Sequence, residues 1–358
     1  MAREKISALT KVQVVIVVAL IILAAGGGAF LILTLQTPSR LELAKNEALS
    51  VYGNIEGDFA PILKGFETKY PELKGKITYT NMGPPEVPNR IISEKKEGKP
   101  TADMIFLAYA NAQQLQREQL LKPYKSKELS AFKPEFYDPN GEWAGAILLP
   151  AGFVYNTNLV GKNDVPKTLM DVTDAKWRGK QEIHSLASRS LGTQYVASLK
   201  EVVGDTLYQA FVNGLLQGSQ PKANSSLFTV LIDVVDGKAA IGVVAFLHDS
   251  TKQKEQGKPI EFFSPQDIPL MTTLSVVSII KDTKNPNLAE LFEDYVLSAE
   301  GQTLVGNIQV RIPARTGVDA KYTLDKLVPN ANIKIFPAPA IASNIGQIAD
   351  DFKKMGFN

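Results

Sequence analysis

The sequence predicts an α/β protein of two lobes joined by a hinge, and three observations support this fold class. The chain has 358 residues, and at roughly 100–200 residues per domain this length suggests about two domains. Short apolar runs alternate with amphipathic stretches, as is typical of a parallel sheet with helices on its faces. Two apolar segments that contain proline, 147–153 and 260–272, interrupt the alternation and predict crossings between the lobes.

The individual elements follow from local periodicity. Apolar residues at helical spacing indicate helices, and short apolar runs bounded by turn residues indicate buried strands. In chain order the pattern predicts strand 49–53, helix 59–70, strand 76–81, helix 87–98, strand 103–109, helix 111–121, strand 151–157, helices 193–203, 205–217 and 226–237, and strand 239–246.

Composition excludes several function classes. The net charge is +2, from 39 basic and 37 acidic residues, so no basic surplus points to nucleic acid as a partner. Cysteine is absent, which removes disulfides, thiol catalysis and cysteine–zinc sites. Only His184 and His248 are available for a metal site or a catalytic triad, and no nucleotide, dinucleotide or zincin motif is present. We therefore predict no enzyme activity, no cofactor and no metal site.

The N-terminus predicts a membrane location. Residues 14–35 carry no charge, and at about 1.5 Å per residue such a helix spans a bilayer core of roughly 30 Å. Arg3, Lys5 and Lys11 precede the run, so the positive-inside rule places residues 1–11 in the cytoplasm. We predict a single-pass anchor over 12–36, a spacer over 37–47 and an extracellular soluble part.

Two other interpretations of this segment stay open. A cleavable secretory signal also has a basic start and an apolar middle. A leader similar to those of pilins, cut on the cytoplasmic side of the apolar run, is the third interpretation. All three place the soluble part outside the cell.

Several motifs carry a family resemblance and are spread through the soluble part. They are residues 51–81 (VYGNIEGDFAPILKGFETKYPELKGKITYTN), 101–106 (TADMIF), 120–126 (LLKPYKS), 153–160 (FVYNTNLV), 165–180 (VPKTLMDVTDAKWRGK), 237–244 (GKAAIGVV) and 284–305 (KNPNLAELFEDYVLSAEGQTLV). In order and spacing they resemble ABC-transporter extracellular solute-binding proteins of family 1, in the branch of ferric-ion, thiamine, polyamine and aminoethylphosphonate binders. The resemblance covers about 48–318.

The resemblance implies the type II periplasmic-binding-protein fold, with a hinge and an interlobe cleft, here preceded by one transmembrane helix. Combined with the predicted crossings, it gives lobe 1 as 48–148 and 264–312 and lobe 2 as 149–263. Residues 313–358 are expected to pack on one of the lobes as an extended stretch and a helix. The expected partners are a small solute and a membrane permease with its cytoplasmic ATPase, and the protein is expected to be a monomer.

The resemblance also bears on the ligand. Ferric binders of this branch hold iron with a histidine, a carboxylate and two adjacent tyrosines. The corresponding positions here are Glu56, Ala108, and the pair Ala245 and Phe246, which carries no phenolate. Ferric iron needs hard anionic oxygen donors, so bare ferric-ion binding is not expected.

The most informative local feature is the stretch SLASRSLGTQY at 185–195, where a helix is predicted to begin. Backbone N–H groups and the helix dipole at such a position suit an oxyanion, and a nearby arginine adds charge. A plain N-cap is the alternative, and one turn can serve both purposes. The predicted ligand contacts here are Ser188, Arg189, Ser190, Gly192 and Thr193.

Other candidate contacts follow predicted strands. Backbone donors are expected after the first and second strands, and an aromatic or imidazole ring after the others. The candidates are Gly53, Asn54, Glu56, Asn81, Gly83, Ala108, Tyr109, Tyr155, Phe246 and His248. For both tyrosines, packing against the hinge is the alternative to ligand contact, and for His248 the alternative is a solvated loop pair with Asp249.

These arguments predict a membrane-tethered, extracellular substrate-binding component of an ABC importer. An anion or an anion-bearing organic molecule is the favoured solute. The alternative is a surface-anchored ligand-sensing module that takes no part in transport.

Overall fold

The computed structural model describes residues 38–83, 85–308 and 310–357, and it shows a mixed α/β protein with two lobes. The predicted anchor over 12–36 lies outside the described residues. Within those ranges no helix combines the length and the apolar character needed to cross a bilayer.

The strands and helices are numbered separately in chain order. The strands are β1 Leu49–Gly53, β2 Ile77–Asn81, β3 Met104–Ala108, β4 Leu121–Lys122, β5 Ala144–Asn156, β6 Gln181–His184, β7 Lys222–Asn224, β8 Ile241–Phe246, β9 Ile260–Phe263, β10 Leu270–Ile280, β11 Ile312–Pro313 and β12 Ile333–Ile335. The helices are α1 Arg40–Ala44, α2 Glu56–Lys69, α3 Glu86–Lys96, α4 Tyr109–Arg117, α5 Leu191–Gly214, α6 Leu227–Val235, α7 Leu247–Glu255, α8 Pro286–Leu297, α9 Ala299–Val305, α10 Leu324–Leu327 and α11 Pro339–Lys354.

The first lobe is built on the strand order β2-β1-β3-β10-β5. Strands β1, β2 and β3 are parallel, and β10 runs antiparallel to β3 and to β5. Helix α2 buries Phe59 and Phe66 against this sheet, where they meet Phe292 of α8 at ring distances of 5.7 and 5.1 Å. Burying aromatic side chains is the largest apolar contribution that single residues make to such a core.

The second lobe has the order β5-β8-β6-β7, with β9 on the other edge of β5. Strands β6, β7 and β8 are parallel. Its main core joins Phe153 of β5 to Tyr195 of α5, and Tyr195 contacts Phe336 from the C-terminal part of the chain. Helix α11 adds Phe352 to the same core.

Strands β5 and β10 connect the lobes. Strand β5 pairs with β10 through its first half and with β8 and β9 through its second half. The predicted crossing at 147–153 lies within β5, and the crossing at 260–272 spans β9 and the start of β10. Strand β12 pairs with β10 over Leu270–Thr272, which adds a third strand where the chain crosses.

Most element predictions are confirmed, and one helix of the site was missed. Strand 49–53 coincides with β1. The two helices predicted at 193–203 and 205–217 are the two helical segments of α5, which meet at a kink at Gly204, where φ is 74°. Helix α7 was not predicted, since its sequence LHDSTKQKE has almost no apolar stripe.

The topology points the carboxyl ends of the parallel strands toward the crossing from both sides. Ala108, at the end of β3, is level with Ser275 and therefore with Ile147 of β5. Phe246, at the end of β8, is level with Ala151 of β5. At about 3.3 Å per residue the two strand ends are roughly 13 Å apart along β5, the arrangement in which α/β folds bind ligands.

We predict that Gly152→Ala destabilises the protein. Gly152 lies in β5 at the crossing, and a Cβ there would be 2.6 Å from Cζ of Phe262 and 2.9 Å from the carbonyl oxygen of Phe263. Because a backbone atom must move, the free energy of unfolding should fall by about 1–3 kcal/mol, measured by urea denaturation.

The matched control is Gly161→Ala. Gly161 is exposed, and the nearest atom to a Cβ there is a carboxylate oxygen of Asp164 at 3.2 Å. This variant should match the parent or be slightly more stable, because alanine restricts the unfolded chain. Equal stabilities for the two variants would contradict the crossing geometry.

Candidate functional site

The starts of two helices, one from each lobe, come together beside the crossing strands. Asp58 lies in the first turn of α2 and is buried. Arg311, just before β11, contacts it with 2.9 Å between Nε and Oδ1. The Arg311 side chain keeps 20% of its surface exposed, so the guanidinium holds the carboxylate and still faces solvent.

The second lobe contributes His248, the second residue of α7. Its ring stacks on Phe246 with 5.0 Å between centroids, and its Nε2 lies 3.3 Å from Oδ1 of Asp249. Its Nδ1 is buried and has no hydrogen-bond partner among the described residues. Burial holds the pKa of His248 well below its usual value, and the charges of Arg311 and Lys252 lower it further. The imidazole is therefore neutral at pH 7.

The two helix starts lie within electrostatic range of each other. Burial raises the pKa of Asp249, and Arg311 and Lys252 oppose this shift. Arg311 belongs to the first lobe, yet it acts on both His248 and Asp249 of the second. The cluster of Asp58, Arg311, His248 and Asp249, named here the interlobe cluster, thus combines a cation with several acceptors.

A β-bulge directs the end of β8 into this cluster. The pairing of β5 with β8 skips Val244, which leaves one extra residue on β8. Val244 is fully buried and has a left-handed φ of 68°, a conformation that a β-branched residue adopts only under strain. Such strain costs on the order of 1–3 kcal/mol and concentrates at functional sites. The bulge sets the direction of Phe246 and of the start of α7.

The predicted anion turn at 185–193 caps α5. The hydroxyl of Ser190 accepts a hydrogen bond from the backbone N of Thr193 at 3.1 Å, and the Thr193 hydroxyl donates to the Leu186 carbonyl oxygen at 3.0 Å. Gly192 is required because a Cβ there would lie 2.3 Å from the carbonyl oxygen of His184. The hydroxyl groups of Ser190 and Thr193 thus form hydrogen bonds within the turn itself, whereas Ser188 and Arg189 are exposed.

The predicted contacts after β1 form part of a close backbone approach. A Cβ at Gly53 would lie 2.3 Å from the carbonyl oxygen of Phe106, so only glycine fits. The Gly53 carbonyl oxygen accepts a hydrogen bond from the Met82 backbone N at 2.9 Å. Asn54 keeps a buried Oδ1 that has no partner in the described part of the chain.

The remaining polar candidates are separated from one another. Asn81 is exposed at the end of β2, and the backbone N of Gly83 donates to Oε2 of Glu86 at 3.0 Å. Glu56 begins α2, and its side chain lies outside the described part of the structure.

The remaining candidates are two tyrosines and Ala108, which lie on β5 and at the end of β3. Tyr109 is buried against Trp143 with 4.8 Å between ring centroids, and burial raises its pKa. Tyr155 pairs with Ile241 at the opposite end of β8 from His248. Ala108 ends β3 and caps α4. The structure therefore brings together Phe246, His248 and residues near Glu56, and it separates Tyr155 from them.

Sequence reasoning missed Asp58 and Arg311 as site residues. Asp58 follows β1 as Glu56 does, which was a usable signal. Arg311 has no local signal, because its partner is 253 positions away in the sequence. Among the described residues no group of three or more His, Asp or Glu side chains is placed to hold a metal ion.

Comparison with known proteins agrees with this geometry. The model of the family of bacterial extracellular solute-binding proteins matches residues 99–344, more than half of the chain. The chain belongs to this family, in the type II periplasmic-binding branch. An uncharacterized protein of Haemophilus influenzae is 30% identical over 247 residues, which cover 66% of this chain and 70% of that protein.

Solved structures share the fold. Iron-bound HitA of Pseudomonas aeruginosa superimposes with a TM-score of 0.70 at 21% identity, over 86% of this chain and 99% of that one. AfuA of Actinobacillus pleuropneumoniae, with exogenous fructose 6-phosphate bound, gives 0.67 at 23% identity, over 86% and 98%. The family comprises solute-binding transport components.

We predict that both histidines titrate below pH 6.5. Burial lowers the pKa of His184 as well as that of His248. Because the unfolded chain then takes up protons first, stability is full above about pH 6.5 and falls as the pH drops below it. Proton NMR of the two imidazole signals, assigned with His184→Gln, measures the midpoints. A His248 midpoint at or above 6.5 would contradict the structure.

Proposed function

We propose that the chain is the extracellular substrate-binding component of an ABC importer and captures a hydroxylated organic anion between its lobes. The observation that carries this proposal is the interlobe cluster, in which a cation from one lobe faces a neutral imidazole and a carboxylate from the other. The lobe boundaries and the membrane tether expected from the sequence are part of the same proposal.

The chemistry of the cluster suits two parts of one solute. Neutral His248 offers a buried acceptor at Nδ1, and Asp249 offers carboxylate oxygens. Both accept hydrogen bonds from hydroxyl groups. The charge of Arg311 is already matched by Asp58, so Arg311 offers only its remaining N–H donors, and the exposed turn that carries Arg189 offers the positive charge for an oxyanion. A phosphorylated sugar has both kinds of group.

Similar proteins with a stated ligand are mostly ferric-ion binders and include a sugar-phosphate binder, so the solute class is argued from the residues of this chain. AfuA, similar in fold, holds fructose 6-phosphate, whereas HitA holds iron. In this chain the end of β8 is Ala245 and Phe246, side chains without oxygen donors. Ferric ion therefore has few hard oxygen ligands at the end of β8. Binding of iron together with a free anion is the second outcome that the experiment tests.

The position of the interlobe cluster beside the crossing strands explains how the protein captures its solute. A solute that contacts Arg311 and His248 together binds the closed arrangement better than the open one, so binding shifts the population toward closure. The closed form then docks on a permease whose cytoplasmic ATPase drives uptake. A sensing module without transport would use the same closure, and it would require a different membrane partner.

The test is calorimetry of the full chain with fructose 6-phosphate, inorganic phosphate and ferric citrate, beside the variant His248→Phe. We expect the sugar phosphate to bind, and the variant to bind it about 10-fold more weakly, because one hydrogen bond to a buried acceptor is worth about 1–1.5 kcal/mol. Phenylalanine keeps the stack on Phe246.

Inorganic phosphate serves as the internal control, since it lacks the hydroxylated body and should bind both proteins equally. An equal loss of affinity for both ligands would indicate that the substitution damages the fold. The melting temperature of the variant checks this. Binding of iron alone, with no response to either phosphate, would overturn the proposed solute class.

A further inference from the structure

The chain segment that precedes β1 is fastened to the first lobe. Helix α1 occupies Arg40–Ala44, inside the spacer that the sequence predicts over 37–47. It packs along α8, and its buried residue Ala44 belongs to the core of the first lobe. Leu41 packs against the same core. This part of the spacer is therefore a piece of the first lobe.

Arg40 makes the main polar contact between α1 and α8. Its Nη2 lies 3.0 Å from Oε2 of Glu290, and its Nη1 lies 2.9 Å from Oδ2 of Asp294. Nη1 also donates to the hydroxyl oxygen of Tyr124 at 2.7 Å. One planar guanidinium thus joins two carboxylates of α8, a geometry that the single ammonium group of a lysine does not reproduce.

A second contact fixes the other end of the segment. Glu47 accepts hydrogen bonds from Nδ2 of Asn287 at 2.7 Å and from the backbone N of Leu288 at 2.6 Å, at the start of α8. Because Glu47 contacts the first turn of α8 and Arg40 contacts its second half, the segment is fixed in direction as well as in position. Its N-terminal end lies beside Asp294.

The path from this end of α1 to the predicted anchor is short. The anchor is predicted to end at residue 36, four positions before Arg40. An extended chain spans at most about 3.5 Å per residue, so four positions span about 14 Å. A lobe that is fastened at Arg40 therefore stands close to the bilayer, and the surface around Asp294 is the part nearest to it.

That surface carries positive charge without an acidic partner. Lys125 and Lys127 are exposed, and neither forms an ion pair with a residue in the described part of the chain. They flank Ser126, whose hydroxyl donates to Oδ1 of Asp294 at 2.5 Å, so they lie beside the start of α1. Lysines at such a place attract anionic lipid headgroups within a Debye length, which is roughly 8–10 Å at physiological ionic strength.

We propose that α1 seats the first lobe on the membrane, with Lys125 and Lys127 against anionic lipid headgroups. The inference rests on the proposed function, because it requires the membrane tether. It adds the lipid surface as a partner. It also gives the lobes different parts in capture, since the first lobe stays on the bilayer and closure moves the second.

The experiment uses the full chain in vesicles of phosphatidylcholine and phosphatidylglycerol that carry a quencher on the lipid headgroups. Because the chain has no cysteine, a fluorophore can be attached at one chosen residue. Ser130→Cys labels the first lobe, on the same side of the 3₁₀ helix 127–131 as Lys127. Asn213→Cys labels an exposed position of the second lobe. We expect quenching to be several-fold stronger at position 130 than at position 213.

Two variants test the role of α1. Arg40→Ala should make quenching at the two labelled positions nearly equal, because the lobe is no longer fixed where the chain leaves it. Arg40→Lys keeps the charge and loses the fork, so it should reduce the difference in the same direction with less risk to the fold. The matched control is Lys45→Ala, which removes a positive charge from α1 at a side chain that pairs with Glu42 of the same helix. It should keep the difference seen in the parent.

The lipid contact is tested by reversing its charge. The double variant Lys125→Glu and Lys127→Glu should be quenched less than the parent at position 130 in these vesicles. In vesicles of phosphatidylcholine alone, the double variant and the parent should be quenched equally. Quenching of the double variant that equals that of the parent in the anionic vesicles would overturn the lipid contact.

The seat and the tether fail in different ways. If the full chain does not float with the vesicles, the tether fails and the seat fails with it. If the chain floats and the two labelled positions are quenched equally in the parent, only the seat fails. An unchanged difference in both Arg40 variants would likewise overturn the role of α1.

Discussion

The pairing of β5 with β10 is the constraint on which the rest of the structure depends. These two strands are shared by both lobes: β3 ends level with Ser275 of β10, and β8 ends level with Ala151 of β5. The interlobe cluster stands beside them because α2 and α7 begin where β1 and β8 end.

Local patterns were enough to predict much of the fold. Apolar runs predicted β1 and the alternation around it, and the two predicted helices on either side of Gly204 are the two segments of the kinked α5. Helix α7 was not predicted, because a short polar helix that is held by its position after a strand has no apolar periodicity in its own sequence. Its first residues nevertheless hold the central imidazole of the site.

The site was less predictable than the fold, for physical reasons. His248 could be found because it follows a predicted strand, but Arg311 reaches Asp58 across 253 positions of sequence, and no local rule reports such a contact. Tyr155 shows the converse limit: proximity to a predicted crossing does not tell which end of the neighbouring strand a ring adjoins. The antiparallel pairing of β5 with β8 decides which end it is. The bulge at Val244 sets the direction of Phe246, and the sequence does not predict a valine in a left-handed conformation.

The place of Phe336, Phe352 and Phe357 in the core of the second lobe has a consequence for how the protein is made. That core also contains Phe153, so it draws on chain segments that are synthesised far apart in time. The core of the first lobe likewise includes residues of β10 and α8, which lie late in the chain. Neither lobe can therefore complete its core until the C-terminal part of the chain has been synthesised.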